Sequence, residues 1–219
     1  MDTNRDLALE CLVHDLNNVF QTLLEAADLL ALDARSEAIA GLIVRTVERG
    51  QSILASADAT RKAPVDLQCV LDKSMQFAGD AVAYRGGHSL RFERYVEPGL
   101  ALEGSAAAWE RVFVNLFLNA AQAMPEGGCV RVRAVRESGA IAVDVTDQGP
   151  GIAPEILEDI FRPGFSTKNS RSGLGLHIVE TIVRQHGGTI AAGNNPAGGA
   201  TFRIRIPALQ SSKVTHACA

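Results

Sequence analysis

From Leu9 onward, apolar side chains recur at alternating steps of three and four: Leu9, Leu12, Leu16, Val19, Leu23, Ala26 and Leu30. That spacing is a heptad seam, which predicts a long helix packed against other helices. The seam breaks at Leu32-Asp33-Ala34-Arg35-Ser36, where Ser36 is suited to cap a second helix. Ile39, Ile43, Val47, Gly50, Leu54 and Ala57 then carry a second stripe, and residues 5–62 contain no proline. Two long helices with so short a join run antiparallel. One such hairpin has little to bury itself against, so a homodimer completing a four-helix bundle is expected.

Pro64 closes this region, and the pattern beyond it changes. Asp66 can cap a helix to about Phe77, Ser89 to Tyr95 alternates like a strand, and Glu97-Pro98-Gly99 is a turn. Ser105 to Met124 reads as a long, largely buried helix. Gly128–Arg136 and Ala140–Thr146 read as strands joined by a hairpin at Ser138-Gly139. A helix from about Leu176 to His186 follows, then closing strands Thr189–Ala192 and Thr201–Ile206, with Asn194 to Gly199 as their turn. Mixed strands and helices around one sheet make an α/β sandwich. The expected fold class is thus α + α/β: a helical hairpin over residues 1–63, a sandwich over 64–209 and a tail over 210–219.

Composition narrows the function classes. Of 219 residues 47% are hydrophobic and 21% charged, enough apolar side chain for a substantial core. The net charge of -4, without a basic run, disfavours a nucleic-acid partner, because phosphate backbones demand a basic stripe. No apolar run approaches the ~20 residues that span a bilayer, and the polar start MDTNRDLALE lacks the form of a signal peptide. No membrane insertion and a cytoplasmic location are expected. Cys11, Cys69, Cys129 and Cys218 fit no metal-ligand spacing and read as free thiols.

Four stretches beyond Pro64 carry candidate chemistry. In Asn115-Leu116-Phe117-Leu118-Asn119 the two amides lie four apart, on one helix face. They are either internally hydrogen-bonded or offer an oxygen to Mg²⁺, which takes hard oxygen ligands. In Asp147-Gln148-Gly149-Pro150-Gly151-Ile152 the glycines allow close backbone approach to a flat ligand, and Asp147 can accept from an exocyclic amine; an ordinary strand-ending turn is the alternative. Phe161-Arg162-Pro163-Gly164-Phe165-Ser166-Thr167-Lys168 is either a surface loop or a lid anchored by aromatics over a phosphate tail. Gly173-Leu174-Gly175-Leu176 opens a helix, whose N-terminus suits an anion.

In this order, NLFLNAAQAM, DQGPGI, FRPGFSTK and GLGLHIVETIVRQHGGTI resemble the N, G1, F and G2 boxes of the histidine-kinase ATP-binding domain, of the family that includes the DNA gyrase and Hsp90 ATPases. GGATFRIRIP is similar to that domain's closing strand, so the resemblance runs over about residues 65–208. It implies a sandwich binding ATP and Mg²⁺, with Asn119 on the metal and Asp147 reading adenine. Asn115, Gly149, Gly151, Lys168, Ser172, Gly173, Leu174, Gly175 and Leu176 fall on its nucleotide-binding positions. Asn115 stands where gyrase-like hydrolases carry a catalytic glutamate, so the γ-phosphate is kept for an acceptor other than water.

That acceptor is sought in His14-Asp15-Leu16-Asn17-Asn18-Val19-Phe20. On the heptad frame His14 falls at an outward f position and Asn18 at the outward c position, so neither is a packing residue. HDLNNVF resembles the H-box of histidine-kinase dimerisation domains, of the HDxxN kind. The resemblance implies His14 as phosphoacceptor, Asp15 as its general base and Asn18 as a residue that orients water for dephosphorylating a partner. The expected acceptor of the phosphoryl group is an aspartate of a response regulator receiver domain.

Some positions depart from the family pattern. Val19 stands where many H-boxes have proline, Gly164 where a second lid phenylalanine is frequent, and Arg171-Ser172 in place of Gly-Thr. Lys168 reads equally as a γ-phosphate contact and as a solvated lysine. Thirteen residues precede His14, too few for a sensor domain, so a separate sensory partner or a longer parent chain is expected. The rival functions are a non-enzymatic phosphotransfer adaptor and an ATPase or serine kinase of the same superfamily.

Overall fold

The computed structural model describes Leu16, Val19, Phe20, Leu23, Ile43, Thr46, Val47, Gly50 and residues 64–84, 89–165 and 175–209. His14, Asp15, Asn18, Lys168, Ser172, Gly173 and Leu174 lie outside the described residues, as do Cys11, Cys218 and the tail 210–219. The chain divides into two compact units; the described residues up to Gly50 fall in one with Gly164 and Phe165, the remainder in the other.

In the first unit Leu16, Val19, Phe20 and Leu23 are helical, and so are Ile43, Thr46, Val47 and Gly50. Each set has the spacing i, i+3, i+4, i+7 of a single helix face. Val47 is buried, and a Cβ on Gly50 would stand 2.6 Å from the tip of the Phe20 ring. Gly50 is therefore a notch that Phe20 fills. Phe20 is not on the seam predicted from the heptads. The seam residues Val19 and Leu23 are instead 53% and 40% exposed within the single chain.

The second unit is a layer of helices on a five-stranded sheet. Its elements are β1 (Pro64–Asp66), α1 (Leu67–Tyr84), β2 (Leu90–Val96), β3 (Ala101–Glu103), α2 (Ala106–Ala123), β4 (Gly128–Glu137), β5 (Ala140–Thr146), a 3₁₀ turn (Pro154–Ile156), α3 (Gly175–Gln185), β6 (Thr189–Asn194) and β7 (Ala200–Pro207). The sheet order is β2-β4-β5-β7-β6, with β2 parallel to β4 and every other pairing antiparallel. Alternation sets its faces. Val130, Val132, Ile141, Val143, Val145, Phe202, Ile204 and Ile206 are buried towards the helices, while Arg131, Arg133, Arg203 and Arg205 face out. Phe92 meets Phe117 of α2 edge to face at 5.2 Å, joining the layers.

In this unit the expected elements are present with two differences. α1 runs to Tyr84 rather than Phe77: Leu67, Val70, Leu71, Ser74, Met75 and Ala78 form one buried stripe that carries the helix past Phe77, and Gly79, costing only about 1 kcal/mol relative to alanine, does not stop it. Asp66 caps it as predicted, its Oδ1 accepting from Gln68 N at 2.8 Å. β1 and β3 pair into a separate two-stranded sheet that the sequence reading does not contain; three residues each are too few to display alternation. The β4–β5 hairpin turns at Ser138 and Gly139, both with positive φ, as a two-residue primed turn requires. Among the described residues no helix is long and apolar enough to cross a membrane.

Candidate functional site

The site is organised by α2. Ser105 caps it, Oγ accepting from Ala108 N at 3.3 Å. Trp109, Val112, Phe113, Leu116, Phe117 and Ala120 bury its apolar face. Asn115, Asn119 and Ala123 follow at steps of four, so they form a second stripe along the same helix. Each end of that stripe meets one of the glycine-rich stretches.

At the Asn115 end lies the start of α3. A Cβ on Gly175 would stand 3.0 Å from Asn115 Oδ1, so only glycine gives this approach without displacement. Asn115 Nδ2 donates to the Arg111 carbonyl at 2.8 Å, satisfying that amide within its own helix. The first turn of α3 presents N–H groups without helical acceptors and the positive end of the helix dipole. Leu176 is half-buried in that turn. At the Ala123 end a Cβ on Gly149 would come within 2.9 Å of Ala123 Cβ and 3.1 Å of its carbonyl. Between the two glycine contacts sits Asn119, whose Nδ2 is buried and has no hydrogen-bond partner. An uncompensated buried amide is costly and calls for a ligand.

The loop after β5 is fixed from three sides. Asp147 is 5% exposed, and its Oδ1 accepts from Gly149 N at 2.8 Å and from Ala200 N at 3.1 Å. A Cβ on Gly199 would fall on the Asp147 carbonyl oxygen. Gln148 N donates to the Met124 sulfur at 3.3 Å. Gly151, at φ +83°, packs against Asn194. Asn194 Oδ1 accepts from Ile152 N and its Nδ2 donates to the Ile152 carbonyl, both at 2.7 Å. Across from this loop, His177 Nδ1 lies 3.2 Å from the Phe161 carbonyl, bonding α3 to the start of the FRPGF segment.

Of the residues singled out in the sequence, Asn115, Asn119, Gly149 and Gly175 are brought together along α2, and Asp147 and Gly151 are held on the adjoining loop. Asn194, Gly199, Ala200, Met124 and His177 support the site without having been picked out for it. Asn194 and Gly199 were legible only as turn residues, and nothing in the pattern distinguishes Met124 or Ala200. Among the described residues no cluster of three His, Cys, Asp or Glu side chains is placed to hold a metal. Cys69 and Cys129 are free thiols.

The family model "Histidine kinase-, DNA gyrase B-, and HSP90-like ATPase" matches residues 104–210. Sensor histidine kinase ZraS of Klebsiella oxytoca is 41% identical over 65% of this chain and 31% of that protein. Sensory histidine kinase/phosphatase NtrB of Rhodobacter capsulatus is 32% identical over 90% of this chain and 61% of that protein. The chain thus spans between about a third and three fifths of the length of these curated relatives. A solved structure, the mycobacterial sensor histidine kinase MprB, superposes with a TM-score of 0.59 at 33% identity, covering 67% of this chain and 97% of that one. Order of motifs, sheet topology and sequence agree: the chain belongs to the histidine kinases of the histidine kinase-, DNA gyrase B-, and HSP90-like ATPase family.

Proposed function

We propose that the chain is a protein-histidine kinase that transfers the γ-phosphoryl group of ATP to His14 and relays it to an aspartate of a response regulator receiver domain. The observation that carries this reading is the buried, partnerless Nδ2 of Asn119, set between the Gly175 and Gly149 contacts. An amide can turn to present its oxygen, and one oxygen ligand plus phosphates and water is the donor set Mg²⁺ prefers. The residues present therefore fit Mg²⁺-ATP. When bound, the magnesium ion neutralises charge on the phosphates.

In this reading the first turn of α3 holds the phosphates with Lys168, Ser172, Gly173 and Leu174, and Asp147 accepts from the adenine amine. Asn115, already bonded to its own helix, is not a base for water. At His14 one ring nitrogen attacks the γ-phosphorus, the bond to the ADP oxygen breaks, and the proton on the other nitrogen passes to Asp15. Asn18 orients water for the reverse chemistry on a phosphorylated regulator; the name histidine kinase/phosphatase carried by the relative NtrB supports that assignment.

Residues 1–63 are assigned to an antiparallel hairpin that dimerises into a four-helix bundle, 64–209 to the ATP-binding domain and 210–219 to a tail. Exposed Val19 and Leu23 support the homodimer, since they would otherwise leave apolar surface in water. The proposed chemistry runs on ATP and a receiver domain and so belongs in the cytoplasm, and the net charge of -4 disfavours a nucleic-acid partner.

The test is incubation with γ-labelled ATP and Mg²⁺. Acid-labile label lost in His14→Ala is expected. Acid-stable label, or label retained in His14→Ala, overturns the histidine-kinase reading in favour of a serine kinase or ATPase, and absence of ATP binding favours a phosphotransfer adaptor.

A further inference from the structure

The DQGPGI loop is held at its far end by a single side chain. Asn194, the last residue of β6, presents its amide edge-on to Ile152: Oδ1 accepts from Ile152 N and Nδ2 donates to the Ile152 carbonyl, at 2.7 Å each. The side chain stands in for a peptide group of a neighbouring strand, pairing with both main-chain groups of one residue. Gly151 bears the mark of the same contact: with φ at +83°, a Cβ there would stand 2.7 Å from Asn194 Oδ1. The mount is itself braced. Asn195 N donates to the Gly199 carbonyl and Gly198 N to the Asn195 carbonyl, both at 2.9 Å, and Asn195 Oδ1 accepts from Ala197 N at 3.0 Å. Asn194 is thus offered from a self-bonded hairpin rather than from a loose loop.

We propose that Asn194 is a positioning residue for nucleotide binding, locking Gly151-Ile152 so that the loop from Asp147 onward keeps one conformation for the adenine ring. The inference rests on the ATP reading of the site. Asn194 touches the backbone of the loop and not the reacting atoms, so its effect falls on affinity for the base and not on phosphoryl transfer. Ordering a loop in advance of its ligand raises affinity by the cost the ligand no longer meets.

The full chain is titrated with a non-hydrolysable ATP analogue in Mg²⁺, as wild type, Asn194→Ala and Asn194→Asp, with melting temperatures and autophosphorylation kinetics beside it. Asn194→Ala removes both bonds. Asn194→Asp keeps the acceptor for Ile152 N but sets a carboxylate against the Ile152 carbonyl. The expected result is a roughly three- to tenfold rise in Kd and KM for both variants, the worth of one or two exposed neutral hydrogen bonds, with kcat unchanged. Unchanged Kd in both variants, or fewer binding sites per chain at unaltered Kd, overturns the Asn194 assignment alone. A wild-type chain that does not bind the analogue overturns the ATP reading on which it rests.

Discussion

Asp147 and Ala200 are paired twice: Asp147 N donates to the Ala200 carbonyl at 3.0 Å, and Ala200 N returns a bond to Asp147 Oδ1 at 3.1 Å. Gly149 N occupies the same Oδ1 at 2.8 Å. One carboxylate oxygen is therefore committed to shaping the loop, and Oδ2 has no bond among the described residues. On the proposed ATP reading the side chain is divided between architecture and recognition, one atom to each.

This division predicts the outcome of Asp147→Asn. The amide oxygen can keep both backbone bonds, so the melting temperature should change by no more than about 3 °C. The Nδ2 group replaces Oδ2, however, and sets a donor against the donor amine of adenine. Loss of a charged acceptor is worth about 1.5–3 kcal/mol, a ten- to hundredfold rise in Kd for ATP. A nucleotide with a carbonyl in place of that amine, such as ITP, should lose far less. If ATP and ITP affinities fall in parallel, Asp147 does not read the base.

Gly199→Ala should be damaging for a different reason. The added Cβ would fall on the Asp147 carbonyl oxygen, and Gly199 adopts φ +85°, where an L side chain is strained. Backbone is the obstacle, so no rotamer relieves it. A loss of about 2–4 kcal/mol is expected, read by urea or thermal unfolding. A variant of wild-type stability would mean the hairpin shifts freely against the loop.

The difference between these two positions marks what the sequence made legible. Asp147 stands out because a carboxylate before spaced glycines is a chemical pattern, and Asn119 because a polar residue on an apolar helix breaks a periodicity. β4, β5 and β7 were legible for the same reason, each carrying a buried row against an outward arginine or carboxylate. β1 and β3 were not, because three residues show no period. Gly199 and Asn194 matter through contacts made across 52 and 42 positions of chain, and composition around them says only "turn". Asn115 and Asn119 looked equivalent in sequence; the Arg111 carbonyl separates them by satisfying one amide and not the other.

Asn119→Ala should separate ligand binding from stability. In the wild type Asn119 Nδ2 is buried without a partner, so its removal forfeits no hydrogen bond made by that atom in the free protein. Stability without nucleotide is expected to hold or to rise by up to about 1 kcal/mol. Binding of the ATP analogue should lose its dependence on Mg²⁺, with wild type and variant converging in EDTA. A variant that keeps the full magnesium effect removes Asn119 as the metal ligand.

The exposed seam gives the last prediction. Val19 and Leu23 lie on one helix face at a spacing of four, with Phe20 turned into the Gly50 notch of the same chain. Phe20 thus satisfies the contact inside one copy, while Val19 and Leu23 are left for a second. Replacing both with glutamate places unpaired carboxylates where the copies would meet, at a cost of several kcal/mol. In an isolated chain the same exposed substitutions should change stability by only about 0.5 kcal/mol each. Sedimentation should therefore show the wild type as a dimer and Val19→Glu/Leu23→Glu as a single chain of 23.2 kDa, with ATP-analogue affinity retained. A double variant that remains dimeric would place the subunit contact elsewhere on the helices.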